Sequence, residues 1–595
     1  MGPQPSKINS EEPKTPPTKK LVNDPSKCVI DSLKGFVMSN SRVKLLEGHT
    51  VVVRSDIQKV KNEGKVVIVT GGGSGHEPTH AGYVGGGMLS AAVCGDVFAS
   101  PSSTSILDTI RTCASDAGVL LLVKNYTGDR LNFGKAAELA KSENINVQMV
   151  VVGEDCALTS KDKSAGRRGL CGTLFCHKIA GAMAEEGKSL EEIVSVLNSV
   201  VKEMGTISIS LSPCSIPGKA PSFSIDHDKI EFGLGIHGEA GVTSMKISDV
   251  SSIVQHMIDH VRNSGYLPEI EGHEVALFVN NLGGTSNLEL SIVAKEALSY
   301  LDSVNVNVTR CYVGAFITSL EMAGVSLTIM ILNKERLEYL DYPVDVPAWP
   351  KGGEINGIGD IIQPCVRARL PSVVDLDYPE AQGIGITIFE CTKRACTALI
   401  DSEDLLNELD RASGDGDTGT TIGRGAKDLF LGLSDIAHPN FNVNNPHHFM
   451  IQIAQKIEES MGGSSGALIS LLFSAAAVPL KDASDVKAFA AALKQGIGCM
   501  KKYGGADEGD RTMLDALCPA LSALEEVLEK KETSFAKIMT AMAKAAREGA
   551  DSTAKMTARA GRASYVSDMR LTHPDPGAVV VALAFEAMSK VGEQR

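Results

Sequence analysis

The sequence predicts two domains of different class, an N-terminal α/β domain and a C-terminal all-α domain. Three observations carry this. At 595 residues the chain is too long for one hydrophobic core. Between residues 51 and about 332, short β-branched runs alternate with helical patterns. From about Ile384, β-rich runs nearly vanish and Ala, Leu, Lys and Glu recur at helical spacing.

Residues 1–20 are rich in Pro, Ser, Lys and Glu without an apolar run, which reads as a disordered tail and not a signal peptide. The first six residues fit the loose myristoylation pattern, with Pro3 weighing against it. Buried strands are expected at 66–69, 119–123, 147–152, 275–279 and 327–332, with helices around 133–140 and 173–186. That alternation calls for a sheet that is at least partly parallel. The stretch 342–383 carries Pro343, Pro347, Pro350, Pro364, Pro371, Pro379 and the single tryptophan, Trp349. Its first part is expected to pack on the α/β domain and 365–383 to form the linker. Helices are expected at 396–409, 450–460, 486–496, 514–528 and 535–546. The division is therefore 1–20 tail, 21–364 α/β, 365–383 linker and 384–595 all-α.

Lys and Arg number 58 against 72 Asp and Glu, a formal charge of −14. An acidic total argues against nonspecific nucleic-acid binding, which needs a basic face. It permits anionic substrates, because a metal ion or helix N-termini can screen a phosphate locally. An odd count of 13 cysteines fits poorly with a disulfide framework. Cys171/Cys176 and Cys391/Cys396 lack a partnering CxxC, so reduced thiols and a cytoplasmic location are expected. No run of eighteen or more apolar residues is read, so no membrane span is expected. Glycine is in excess at 58, nine of them between Gly71 and Gly95, which marks backbone that turns sharply or approaches a ligand.

Five strings carry the chemistry. Thr70-Gly71-Gly72-Gly73-Ser74-Gly75-His76-Glu77-Pro78 follows a strand, and its glycines let backbone N–H groups converge on a ligand oxygen beside His76. It lacks the Walker lysine and is not a GxSxG elbow. Gly233-Leu234-Gly235-Ile236-His237-Gly238 satisfies GxGxxG without the helix and acidic residue a dinucleotide fold needs. There His237 is either structural or, as a neutral imidazole among glycines, a nucleophile toward a carbonyl carbon. Lys124-Asn125-Tyr126-Thr127-Gly128-Asp129 ends an apolar strand, and Asp129 is either a base or the cap of a helix beginning near Asn132. Asp410, Asp415 and Asp417 converge among glycines as a cluster that would self-repel without a hard cation. Ala426, where an EF-hand needs glutamate, favours Mg²⁺ with phosphate oxygens. Gly462-Gly463-Ser464-Ser465-Gly466 fits GxSxG but follows a helix, so its hydroxyls and N–H groups suit phosphate better. His256 and His260 lack the HExxH glutamate and read as a solvated helix face.

Together GGGSGHEP, VKNYTGDRLNFG, GLGIHGEAG, DxxxxGDGDTG, GGSSGAL, GDRTMLD and DPGA make the chain resemble the single-chain, ATP-dependent dihydroxyacetone kinases, from about Lys20 to the C-terminus. Within that family it looks most like the eukaryotic triokinase/FMN cyclase group. The resemblance implies a K domain of two subdomains that holds the triose and an L domain, an antiparallel helical barrel, that holds ATP and magnesium. It further implies a hemiaminal on His237, proton handling by His76 and Asp129, and a triose pocket of Gly73, Ser74, Gly75, His76, Lys124 and Asp129. Two Mg²⁺ ions would sit on Asp410, Asp415 and Asp417. Nucleotide contacts would come from Asp415, Gly416, Asp417, Thr418, Ser464, Ser465, Gly504, Thr512, Met513, Asp575, Pro576 and Gly577. Substrates implied are ATP with dihydroxyacetone or glyceraldehyde, in a cytoplasmic homodimer that binds neither nucleic acid nor membrane. Two rivals stay open: cleavage of FAD to cyclic FMN, with Mn²⁺ or Co²⁺, and a non-catalytic triose-binding regulator.

Overall fold

The structure, a computed structural model, describes residues 17–157, 166–221, 223–355, 378–411, 414–437, 439–565 and 571–591. The chain divides into two compact units, Met1–Ile362 and Gln363–Arg595.

The first unit holds two six-stranded sheets. One comprises β1 (Val43–Leu45), β2 (Val51–Arg54), β3 (Val67–Ser74), β4 (Ala91–Val97), β5 (Val119–Lys124) and β6 (Val147–Val152), in the order β1-β2-β4-β3-β5-β6. The other comprises β7 (Met204–Ser210), β8 (Lys229–Phe232), β9 (Thr243–Lys246), β10 (Glu274–Asn281), β11 (Asn307–Gly314) and β12 (Gly324–Ile331), in the order β11-β10-β12-β7-β8-β9. Side-chain alternation sorts the cores. Along β5, Leu120 and Leu122 face a core between the two sheets, while Val119, Leu121 and Val123 face the helices Ser103–Cys113 and Thr127–Ser142. The between-sheet core also takes Phe278 and Met330 of the second sheet and the helix Thr173–Glu185. A further core packs the helices Val250–Asn263 and Asn287–Ser303 on the outer face of the second sheet.

All five expected strands exist, and the expected partly parallel character is present, concentrated in the first sheet. There β4, β3, β5 and β6 run parallel, whereas in the second sheet only β10 and β11 do. Burial on both faces produces continuous apolar runs whatever the strand direction, so the runs of β10 and β12, which pair antiparallel, do not show their direction. β3 also continues through Gly71-Gly72-Gly73-Ser74, so these glycines finish a strand and do not form a loop. The expected tail lies outside the described residues up to residue 16, and Lys20 at its end pairs with Glu321. Trp349 is buried in the between-sheet core against Tyr312, so the proline-rich stretch begins as part of this unit.

In the second unit successive helices pack on one another in a ring. Ile384–Asp401 packs on Thr418–Gly432, followed by Pro446–Ser460, Gly463–Ala476, Val486–Gly504, Leu514–Glu529 and Phe535–Ser552. Pro576–Ser589 then returns against Ile384–Asp401 and closes the ring. Much of the expected linker, up to residue 377, lies outside the described residues. Its last residues belong to the helical unit: Ala381 is buried in that core, and Gln452 donates to the Tyr378 hydroxyl at 2.9 Å. Against the expectation of no long apolar stretch, the window Gly463–Leu480 has a mean hydropathy of 1.6, enough by length and composition to cross a membrane. It is woven into this ring between its two neighbouring helices.

Candidate active site

In the first unit the carboxyl ends of β3 and β5 supply one half of a polar centre, and the loop between β8 and β9 supplies the other. Gly72 opens it. The position a Cβ on Gly72 would take lies 3.3 Å from Lys124 Nζ and 3.4 Å from Asp129 Oδ2, so both groups converge where no side chain stands. Gly71 and Gly73 are glycine for packing, since a Cβ would overlap the Val93 carbonyl or meet Ala99 N at 2.7 Å. Ser74 donates its hydroxyl to Gly95 O at 2.7 Å. The Gly75 N–H donates to the Glu77 carboxylate at 3.0 Å, so this amide, expected to face a ligand, is engaged by a side chain. Asp129 lies in the first turn of the helix Thr127–Ser142, which starts before Asn132 and receives no cap bond from it. The reading of Asp129 as an N-cap therefore falls.

His76 is fully buried and its Nδ1 lies 2.8 Å from Thr318 O. A carbonyl only accepts, so Nδ1 carries the proton and Nε2 presents a lone pair. Nε2 has no partner among the described residues. The His76 and His237 rings meet edge to face at 75° with centroids 5.0 Å apart. Tyr126 stands edge-on to His237 at 4.4 Å, and Phe98 stacks on His76 at 5.3 Å. Burial, then Lys124 and His237, push the His76 imidazole well below the usual histidine range. Burial, then Lys124 and Arg168, lower His237 to about 3. Both rings are therefore neutral bases at physiological pH. Burial lowers Lys124, with Asp129 opposing, and raises Asp129, with Lys124 opposing.

The second unit gathers the acidic residues. Carboxylate oxygens of Asp410, Asp415 and Asp417 lie within 4.8 Å of one another, with Asp410 buried and the other two exposed. Asp410 Oδ2 accepts N–H bonds from Gly416 (3.1 Å), Asp417 (3.1 Å) and Thr418 (3.2 Å), which fold the loop so that the acids converge. Gly416, at φ 78°, makes the turn. Three clustered hard oxygen donors fit Mg²⁺.

The expected nucleotide residues form local groups. Thr418 opens the helix that follows the acids. Ser464 and Ser465 open Gly463–Ala476 after Gly462 at φ 65°, and a Cβ on Gly504 would meet Leu468 of that helix at 3.1 Å. Arg424 ties these two groups by donating to the carbonyls of Ser460 and Met461. Met513 lies against Gly577, where a Cβ would be 3.2 Å from Met513 Cε, and Asp515 accepts from Thr512 N at 2.8 Å. Asp575 caps the helix that begins at Pro576 through Ala578 N (2.9 Å), while burial raises its carboxyl to about 6.

Sequence reasoning missed Phe98, Thr318 and the buried Arg511, which donates to His573 O at 2.8 Å. Tyr126 and Arg511 sat inside motif strings already recognised; nothing local marks Phe98 or Thr318. His256 is exposed as expected, but His260 Nε2 lies 3.0 Å from Cys156 O. All described cysteines are free thiols.

A Dak1 domain model matches residues 34–348 and a DAK2 domain model matches 412–590. The chain is 45% identical over 583 residues to the triokinase/FMN cyclase of Rattus norvegicus, covering 96% of this chain and 99% of that one. It is similar to the crystal structure of the dihydroxyacetone kinase from C. freundii in complex with AMP-PNP and Mg²⁺, at 34% identity and a TM-score of 0.69, over 96% of this chain and 99% of that one. The dihydroxyacetone kinase operon co-activator Dha-DhaQ matches 54% of this chain over 97% of its own, at 34% identity and a TM-score of 0.50.

Proposed function

Because the chain belongs to the single-chain dihydroxyacetone kinases, we propose that it transfers the γ-phosphoryl group of ATP to a hydroxyl of dihydroxyacetone, and of D-glyceraldehyde in the same way. We assign the triose to the α/β half, 21–364, and the nucleotide to the helical half, 384–595. The observation that carries the reading is the pair of neutral imidazoles, centroids 5.0 Å apart, beside Lys124 and Asp129.

A ring nitrogen of His237 adds its lone pair to the carbonyl carbon. The C=O π pair moves to oxygen, which takes up a proton as the other ring nitrogen releases one, leaving a neutral hemiaminal. Glycerol has no carbonyl and is excluded by chemistry, not by size. Lys124 and the glycine-lined end of β3 hold the triose oxygens, with Gly73, Ser74 and Gly75 forming the wall. The attacking hydroxyl gives its proton to His76 Nε2, with Asp129 as the second proton-handling group, as its oxygen bonds to the γ-phosphorus and ADP departs. Asp410, Asp415 and Asp417 would hold two Mg²⁺ ions, which neutralise phosphate charge. Thr418, Ser464 and Ser465 offer hydroxyl and helix N-terminal N–H donors to phosphate oxygens. Gly504, Thr512, Met513 and Asp575–Gly577 complete the nucleotide site. We place the protein in the cytoplasm as a homodimer.

Incubation with Mg-ATP and dihydroxyacetone should yield ADP and dihydroxyacetone phosphate, and His237→Ala should abolish both the turnover and the covalent adduct seen by intact mass. An adduct that persists in that variant would sink the assignment. A second reading, cleavage of FAD to AMP and cyclic FMN, is favoured by the likeness to a triokinase/FMN cyclase. It would use the same acids, with Mn²⁺ or Co²⁺, and not His237, so the variant should keep it. The regulator reading is disfavoured: the co-activator matches about half of this chain, which also carries the acidic triad and a DAK2 match.

A further inference from the structure

We propose that Arg168 is a positioning residue for His237, acting through Glu239. The proposal rests on the reading of His237 as the group that takes the triose carbonyl. The loop that presents His237 runs between β8 and β9 without regular structure and carries Gly233, Gly235, Gly238 and Gly241. Such a segment has many accessible conformations, and a nucleophile displaced by about 1 Å loses about 10²-fold in rate. Something must hold it.

The Arg168 guanidinium makes the ties. Its Nε donates to Asp155 Oδ2 at 2.6 Å, a carboxylate buried just after β6 where the backbone bridges to Thr206 of β7. One terminal nitrogen donates to Gly233 O at 2.7 Å, at the start of the loop. The other donates to Glu239 Oε1 at 3.2 Å, and Glu239 Oε2 in turn accepts the backbone N–H of His237 at 2.8 Å. Asp155 is itself fixed by Ala157 N at 2.9 Å. The chain Asp155–Arg168–Glu239–His237 thus runs from a buried carboxylate, whose backbone bridges to β7, to the nucleophile's own amide. It closes over Gly235, where a Cβ would overlap the Glu239 carboxylate and lie 3.0 Å from Arg168. Tyr126 and Phe98, both edge-on to the imidazole, fix the ring, whereas Arg168 and Glu239 fix the backbone beneath it. The neighbouring Arg167 differs: it donates to the carbonyls of Glu154, Asp155 and Met204 and stacks on Tyr266, while the bonds to Gly233 and Glu239 of the His237 loop come from Arg168. The fork geometry matters, since a lysine cannot serve three acceptors in one plane.

The test titrates dihydroxyacetone against the full-length protein by intact mass and by steady-state kinetics, for the wild type, R168Q, R168K and E239Q. Melting temperature and Mg·AMP-PNP affinity are measured alongside. R168Q should weaken the adduct and lower kcat/KM by about 10²-fold, with Mg·AMP-PNP affinity unchanged. E239Q still accepts the His237 N–H but loses the ion pair, and should fall about tenfold; R168K should lie between wild type and R168Q. If R168Q does not fold, R168K and E239Q carry the same expectation. Variants that melt lower yet keep wild-type adduct affinity and kcat/KM would mean a merely structural Arg168 and overturn the proposal, as would variants unchanged in every measurement. A wild-type protein that forms no adduct overturns the His237 reading itself, and this inference with it.

Discussion

Adduct formation on His237 is expected to be indifferent to pH between 5 and 8. Burial, then the charges of Lys124 and Arg168, hold this imidazole at about 3. A depressed histidine pKa means the proton is lost more readily, so the nucleophilic lone pair is present throughout that window. An ordinary histidine, at about 6.5, would be about 97% neutral at pH 8 and about 3% neutral at pH 5. Its apparent affinity for a ketone would fall about 30-fold over that range. With the value at about 3, the neutral fraction at pH 5 is still about 99%. Titrating dihydroxyacetone at pH 5, 6, 7 and 8 by intact mass, with His237→Ala as baseline, should give an apparent Kd constant within about twofold. A weakening of about 30-fold, centred near pH 6.5, would refute the argument that burial and the two cations set the state of the nucleophile.

The same burial has a stability cost. His76, His80, His177 and His237 are all held below the usual histidine value, so the folded protein binds fewer protons than the unfolded one below about pH 6.5. Stability present at neutral pH should be lost as pH falls through that point, by up to about 5 kcal/mol per pH unit for the four; a melting temperature of the α/β unit that does not drop between pH 7 and 5.5 would contradict this. Gly72→Ala should raise the dihydroxyacetone KM about tenfold, because the new methyl stands against the Lys124 and Asp129 side chains, and should destabilise the α/β unit by about 1–3 kcal/mol, because Gly72 sits at φ 157°, which disfavours a side chain; KM and a denaturant titration check both. Asp410→Ala and Asp417→Asn should each lower kcat at least about 10²-fold. Only Asp410→Ala should also destabilise the metal-free helical unit, by about 1–3 kcal/mol in denaturant titrations, since it strands three backbone amides.

Which parts were legible in the sequence follows from how far apart the cooperating residues lie. The acidic cluster is spelled by eight consecutive positions, and one carboxylate folds the loop through amides at 416, 417 and 418, so chemistry and local geometry coincide. Continuous apolar runs located the buried strands, but burial on both faces erases the mark of strand direction, so the division into a mostly parallel and a mostly antiparallel sheet was not legible. Short, exposed strands such as β9 carry no run at all. The pairing of His76 with His237 depends on two separate sheets meeting at their ends; resemblance to a family indicated it, and no periodicity could. Phe98, Thr318 and the Arg168–Glu239 tie act through placement alone, where an ordinary residue type acquires a role from its neighbours.

Gly85-Gly86-Gly87 are bare because the proline-rich segment lies against them. A Cβ on Gly85 or Gly87 would overlap the Asp345 or Pro343 carbonyl, and Gly86 bridges antiparallel to Asp345, whose N–H donates to Gly86 O at 2.9 Å. These partners are 259 residues apart, 86 to 345. On the ribosome, then, the first sheet is finished long before the segment that seals its flank has been synthesised. Until residues 343–349 emerge, the nascent chain lacks the side chains of Val344, Val346 and Ala348 that lie over Gly87, Gly85 and Gly82, a contact of high sequence separation that forms late. A chain truncated before Pro343 therefore lacks the cover over Gly82, Gly85 and Gly87, and should leave more of its product in the pellet than the full-length chain when the two are expressed side by side.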